Sequence, residues 1–318
     1  MRHIYKMFEI NEVYHDFFPQ SNNTTVLSHS NSKKIQYKMK YSILSLLFIL
    51  PLFSTAQIDL PAASPGATVK QMVGLANVTI EYSRPALKGR KMIGSSLIPY
   101  GKIWRTGANK LPNLTVDKEV KIEGHALPAG TYGIATIPNL NSWTIIISKN
   151  PNQFGTFEYK ESEDLLRFTV KAQKVLVKEE YFTMGFSDFN ETTAHLFIKW
   201  ENALVKCKIT HDPHEQILAQ IKEKTGTSEV SSDTYYSAAE YYYDKNIDLN
   251  QALAWADKVV AADKQYWTYN LRGKIAAKLG KCDLAVSDAN EGLVLAKRDN
   301  DPSYILMLQK ILTSCKGK

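Results

Sequence analysis

Residues 165–171 read LLRFTVK, and from Leu166 through Arg167, Phe168 and Thr169 to Val170 apolar and polar residues strictly alternate. A period of two marks a strand with one face on a core and the other toward water. The same alternation appears in Val120-Lys121-Ile122 and, in short runs broken by turn residues, from about Thr68 to Ile209. It predicts strands at residues 77–82, 103–106, 114–116, 120–122, 131–137, 143–148, 165–171, 181–186, 195–200 and 203–209. Turn signals such as Leu127-Pro128-Ala129-Gly130 and Pro138-Asn139 separate them, and no helical segment long enough for a parallel crossover intervenes. The expectation for residues 57–209 is an antiparallel β-sandwich or barrel. The same layout excludes a nucleotide-binding α/β sheet.

Past Ile209 the pattern changes. Residues 210–232 are polar, carry Pro213 and read as a linker, while from Asp233 to the end the apolar period becomes helical. Ala252 and Ala256 form a small-residue pair at i and i+4 that recurs 33 positions later as Ala285 and Ala289. That offset is close to the repeat of about 34 residues in tetratricopeptide arrays. Asp301 and Pro302 suit the N-cap and first position of a last helix. Residues 233–318 therefore read as a tetratricopeptide-like module, or as a small helical bundle with the same spacing. The fold class is α+β, multidomain.

The apolar run from Ile43 to Phe53 follows Lys38 and Lys40 and precedes Ser54-Thr55-Ala56. About 11 residues is short of the roughly 20 a spanning helix needs. The arrangement is that of a secretory signal over residues 39–56, with cleavage after Ala56; a long n-region or a retained anchor is the other reading. Residues 1–38 read as an upstream extension of a signal that starts at Met39. The 318-residue chain carries 39 basic and 32 acidic side chains, net +7. Beyond Ala56 the excess is modest, so neither nucleic acid nor, once the leader is removed, a membrane span is expected. The protein is expected to be periplasmic or secreted. In an oxidising compartment, Cys282 and Cys315 are candidates for a disulfide; Cys207 is the third cysteine.

Charge is concentrated in RPALKGRKMIGSSLIPYGKIWRTGANK (84–110), with seven Lys or Arg and no Asp or Glu. In a strand at 103–106, Trp104 and Thr106 face one way, Ile103 and Arg105 the other. Trp104 then fills core. Arg105 stands at the strand end, where a turn at 106–109 brings Asn109 beside it. A guanidinium there captures either a ligand's carboxylate or phosphate, or an internal Asp or Glu. The candidate ligand-binding set is Arg84, Lys88, Arg90, Tyr100, Arg105 and Asn109.

The segments ASPGATVKQMVGLANVTIEYSRPALKGRKMIG, LIPYGKIWRTGAN, LPAGTYGIATIPN, SWTIIISKN and LFIKWEN resemble, in that order, the family catalogued as domain of unknown function 2911. The resemblance covers about residues 64–209. It implies an exported, β-rich bacterial domain and brings no established activity. It also places a histidine near the position occupied here by Ala135, so no role for that histidine carries over.

The sequence holds no G-x-S-x-G, H-E-x-x-H, Walker or dinucleotide glycine motif. His211-Asp212-Pro213-His214 has two histidines near a bend but no third ligand, and Glu161, Glu163 and Asp164 read as a solvated turn. No metal or cofactor is expected. The reading is an exported non-enzymatic binding protein. Its β domain takes an anionic small molecule or glycan. Its helical module, rich in Tyr235, Tyr236, Tyr241, Tyr242, Tyr243, Trp255, Tyr266 and Trp267, takes a protein partner. The alternative is an envelope hydrolase acting on an anionic or sugar-containing substrate oriented by Arg84, Arg105 and Asn109.

Overall fold

Alternation over 66–210 gives nine antiparallel strands among the described residues, which in this computed structural model are 60–316. The expected leader (39–56) and extension (1–38) lie outside them. The strands are β1 (Gly66–Val73), β2 (Ala76–Ser83), β3 (Asn113–Val116), β4 (Val120–Ile122), β5 (His125–Leu127), β6 (Gly130–Pro138), β7 (Ser142–Ser148), β8 (Asp164–Ser187) and β9 (Thr193–Thr210). Their order in the sheet is β1-β2-β3-β6-β7-β8-β9-β4-β5, with β1 and β5 as open edges. The sheet does not close, so the barrel alternative falls away.

β8 makes the sheet into two layers. Its first part, Asp164 to Lys171, pairs with β7, and its second, from Ala172 to Ser187, pairs with β9. Inward residues of the first layer (Val78, Ile80, Leu114, Ile134, Ile145) and of the second (Ile122, Phe182, Met184, Leu196, Ile198) share one core. On the outer face of β6 and β7, Ala135 and Ile146 pack with Leu111 in a second, small cluster against Ile103, Ile137 and Tyr159.

Residues 103–106 do not form a strand. Trp104 makes a single bridge to Thr136, its N–H donating to the Thr136 carbonyl at 2.7 Å and its carbonyl accepting at 2.9 Å. The chain then turns through positive φ at Thr106 (59°), Gly107 (126°) and Asn109 (62°), a run of left-handed residues that a regular strand does not contain. Gly107 is required there: a Cβ would sit 3.1 Å from the Ser83 carbonyl oxygen. The facing rule still holds locally, since Trp104 and Thr106 are buried while Ile103 and Arg105 are partly exposed. The pairs expected at 165–171 and 181–186, and at 195–200 and 203–209, fuse into β8 and β9. Glu201 (φ 52°) absorbs an irregularity inside β9 that the sequence shows as a break. β1, absent from the expected strands, is an edge strand joined to β2 through Gly74-Leu75.

The segment expected as a linker holds a helix, α1 (His214–Thr225), which begins directly after Pro213. Proline is harmless at that end, because the first helical N–H groups have no intrahelical partner. Then follow α2 (Ser232–Asp244), α3 (Leu249–Ala262), α4 (Tyr266–Lys278), α5 (Cys282–Arg298) and α6 (Pro302–Ser314). Ser231, Asp248 and Asp301 cap α2, α3 and α6 with side-chain oxygens accepting backbone N–H groups. α2 and α4 start 34 residues apart and α3 and α5 start 33 apart. Ala252, Ala256, Ala285 and Ala289 are all fully buried, which lets these helices approach closely. A disulfide joins Cys282 at the start of α5 to Cys315 after α6.

Leu60–Lys318 is one compact unit that contains every buried residue of these cores, so it is expected to fold without the residues before it. Inside the helical core, Arg272 of α4 makes a two-pronged pair with Asp288 of α5 at 2.8 and 2.7 Å and also reaches Asp257 at 3.1 Å. Asp288 is 1% exposed. Removing one partner of such a pair strands a charge away from water. Asp288→Ala is therefore expected to lower stability by about 3–5 kcal/mol, and the double change Arg272→Met with Asp288→Leu to recover most of it. Urea unfolding of the 60–318 chain checks both.

Candidate functional site

The turn after Trp104 distributes the basic stretch over three places. Arg84 lies against β8, its Nε donating to the Phe182 carbonyl at 3.2 Å and its Nη2 to Thr183 Oγ1 at 2.9 Å. Lys88 (φ 47°) is exposed, and its backbone N–H donates to Glu180 Oε1 at 2.8 Å. Both therefore anchor the 84–93 loop to the sheet.

Arg90, Lys102 and Arg105 instead line one cleft of about 330 Å³, walled by Met92, Leu97, Ile98, Ile103, Trp104 and Phe157. Among the described residues, no carboxylate lines it. Arg90 is held in place, donating through Nε to the Leu87 carbonyl and through Nη2 to the Ala86 carbonyl, both at 2.9 Å. Arg105 has no ion pair and no side-chain hydrogen bond among the described residues, so the internal carboxylate that would have made it purely structural is not there. Phe157, 96% exposed, stands at the rim. An aromatic edge beside three cations is a fit for an anion carried on a small organic body.

Tyr100 is outside this cleft; its ring lies over Gly94, whose φ of +73° and lack of Cβ make room for it. Asn109 is also elsewhere. Its Nδ2 donates to Ser83 Oγ at 3.1 Å on the wall of a shallower, 600 Å³ cleft with Glu81, Lys110, Asn113 and Phe154. The segment 153–157 separates the two, presenting Phe154 to one side and Phe157 to the other. Arg84, Arg105 and Asn109 thus do not converge.

Sequence reading missed a polar network on the outer face of β8. Tyr159 donates to both Asp164 oxygens at 2.9 and 2.8 Å, and Arg167 reaches Asp164 at 2.8 Å, Tyr159 at 2.6 Å and Glu161 at 3.3 Å. The acidic run at 161–164 is therefore only partly a solvated turn. Asp164 and Arg167 point to opposite faces of an ideal strand; the register shift opposite Ile147 and Ser148 brings them together. No local pattern announces that shift. Burial, followed by the hydrogen bond to Asp164, raises the Tyr159 phenol to about 12.

The other sequence candidates are apart. His211 Nδ1 bonds the Glu119 carbonyl at 2.9 Å, whereas His214 Nδ1 bonds the Tyr241 hydroxyl at 2.7 Å. His125 stacks on Phe168. Cys207 is buried in β9, and burial pushes its thiol far up, which leaves it protonated and inert. In the helices, Trp255 and Tyr266 are core residues, and Tyr235, Tyr236, Tyr241, Tyr242, Tyr243 and Trp267 are packed against that core. The tyrosine-rich run is mostly inter-helix filling.

Residues 64–209 match the family described as protein of unknown function (DUF2911), which accounts for the strand half and none of the helices. No curated protein and no solved structure matches the chain.

Because the folded-state phenol of Tyr159 titrates above its ordinary value near 10, its stabilising contribution is whole below about pH 10 and is lost as pH rises toward 12. Stability is expected to fall across that window, and Tyr159→Phe to flatten the fall. Chemical unfolding at a series of alkaline pH values measures it.

Proposed function

We propose, from the premise that residues 64–209 are a DUF2911 domain, that this domain binds an anionic small molecule or a charged glycan in the cleft of Arg90, Lys102 and Arg105. The observation that carries the reading is the guanidinium of Arg105, half-buried in a cleft it shares with two other cations and, among the described residues, without a side-chain partner or a carboxylate on the cleft wall. A charge so placed is best satisfied by an anion from outside. The site is smaller than the basic stretch suggested: Arg84 and Lys88 support its loop, and Tyr100 and Asn109 stand outside it.

Export by the signal at 39–56 goes with this reading and would bring the domain to an envelope or external compartment; the disulfide between Cys282 and Cys315 supports such a destination. The helical hairpins, spaced like stacked repeats, would serve as the seat for a protein partner.

Thermal melting of the 60–318 chain with inorganic phosphate, a sugar phosphate and the corresponding neutral sugar tests the cleft. The two anions are expected to raise Tm and the neutral sugar to leave it unchanged. Arg105→Ala should weaken the anion effect about 10- to 100-fold in concentration, the worth of a charged hydrogen bond, while moving the unliganded melt by no more than about 0.5 kcal/mol. A large loss of unliganded stability would make Arg105 structural. Turnover of the sugar phosphate would favour the hydrolase reading over simple binding.

A further inference from the structure

β8 also carries a protrusion that lines neither cleft. Lys174 pairs with Ala203 and Glu179 with Glu201, so Val175, Leu176, Val177 and Lys178 stand opposite Asn202 alone. Four residues facing one must bulge out of the sheet. The bulge is tied at its base: Asn202 Nδ2 donates to the Val175 carbonyl at 2.8 Å and reaches the Leu176 carbonyl at 3.4 Å. At its crest Leu176 is 100% exposed and Val177 72%.

The flanks are cationic. Lys171, Lys174 and Lys178 are exposed and have no ion-pair partner among the described residues. Of the nearby carboxylates, Glu179 pairs with Lys199 at 2.9 Å, whereas Glu180 accepts the Lys88 N–H and Glu201 accepts N–H groups from Met92 and Ile93, bonds that hold both at the base of the bulge and leave them charged. The β6–β7 turn adjoins the base, because the Ala172 N–H donates to the Asn141 carbonyl at 2.9 Å. That turn carries Leu140, also 72% exposed.

Isolated exposed aliphatics are ordinary. Two adjacent ones on the crest of a pinned bulge, with the exposed Lys174 and Lys178 at its two ends, are a different arrangement. A convex tip of this kind has no pocket to receive a partner's side chain, and needs only a surface into which it can sink. An anionic lipid layer supplies both requirements, hydrocarbon for the aliphatic crest and negative headgroups for the lysines. We propose that the protein docks on anionic lipid surfaces through the Val175–Lys178 bulge, with Lys174 and Lys178 at the headgroups. The contact is peripheral and reversible.

Sedimentation of the 60–318 chain with vesicles tests this. The chain is expected to pellet with phosphatidylethanolamine vesicles containing phosphatidylglycerol, and to be released by salt. Leu176→Ser with Val177→Ser should reduce partitioning by roughly tenfold per side chain; Lys174→Glu with Lys178→Glu should abolish the salt-sensitive part. Failure of the unaltered chain to pellet, equal pelleting with purely neutral phosphatidylcholine vesicles, or full retention by the Ser variant would each overturn the proposal. Leu176→Trp provides a readout that does not depend on those variants folding. Its fluorescence should shift to the blue on adding anionic vesicles, and an unchanged spectrum sinks the idea. A blue shift on concentrating the Trp variant without lipid would assign the tip to self-association and overturn it as well.

Discussion

The β domain is organised around the indole of Trp104. It lies parallel to Trp200 of β9, at 5.8 Å and 12°, and edge-on to Trp143 of β7 and Phe182 of β8 at 5.9 and 5.5 Å. Trp143 belongs to one layer and Trp200 to the other, so a residue from an irregular segment holds the two together. Offset and edge-to-face contacts of this kind add to the area they bury. The two backbone bonds with Thr136 hold Trp104 in register, and the Thr106 hydroxyl, donating to Thr136 Oγ1 at 3.0 Å, locks the turn that follows.

The chemistry of the surface follows from that wedge. With Trp104 turned in, the neighbouring Arg105 must turn out, onto the wall of the cleft that Arg90 and Lys102 share. The left-handed turn through Thr106, Gly107 and Asn109 then carries the chain to the far side of the 153–157 segment, which is why Asn109 ends on another surface. A β-branched residue at φ 59° is costly. Here it is held by full burial and by its hydroxyl bonds.

In the helical half, aromatic residues do something simpler. Their rings fill the layers between helices, with Tyr242 edge-on to Trp255 at 4.8 Å and Tyr266 edge-on to both Trp267 and Tyr304. Buried alanines permit close approach where the rings are absent. The pair of Arg272 and Asp288 is placed between two such close helices, α4 and α5. Lys258 over Tyr235, and Lys274 and Lys278 over Tyr243, use the faces of rings that the core leaves partly uncovered.

Much of this was legible from the chain alone, because local periodicity reports which face of an element is buried. Alternation located most strands and the antiparallel class, the change of period near Thr210 located the helices, and the alanine pairs foretold their offset. The facing of Trp104 and Arg105 could be read for the same reason. What the order of residues could not convey was anything set by contacts between distant segments. The continuity of β8 across two layers, the helix after Pro213, the network of Tyr159, Asp164 and Arg167, and the bulge opposite Asn202 all depend on register. Register is a relation between strands, whereas composition and period belong to each strand singly. Seven positive charges in one stretch mark a region, but only the folded turn decides which three of its cations share a cleft.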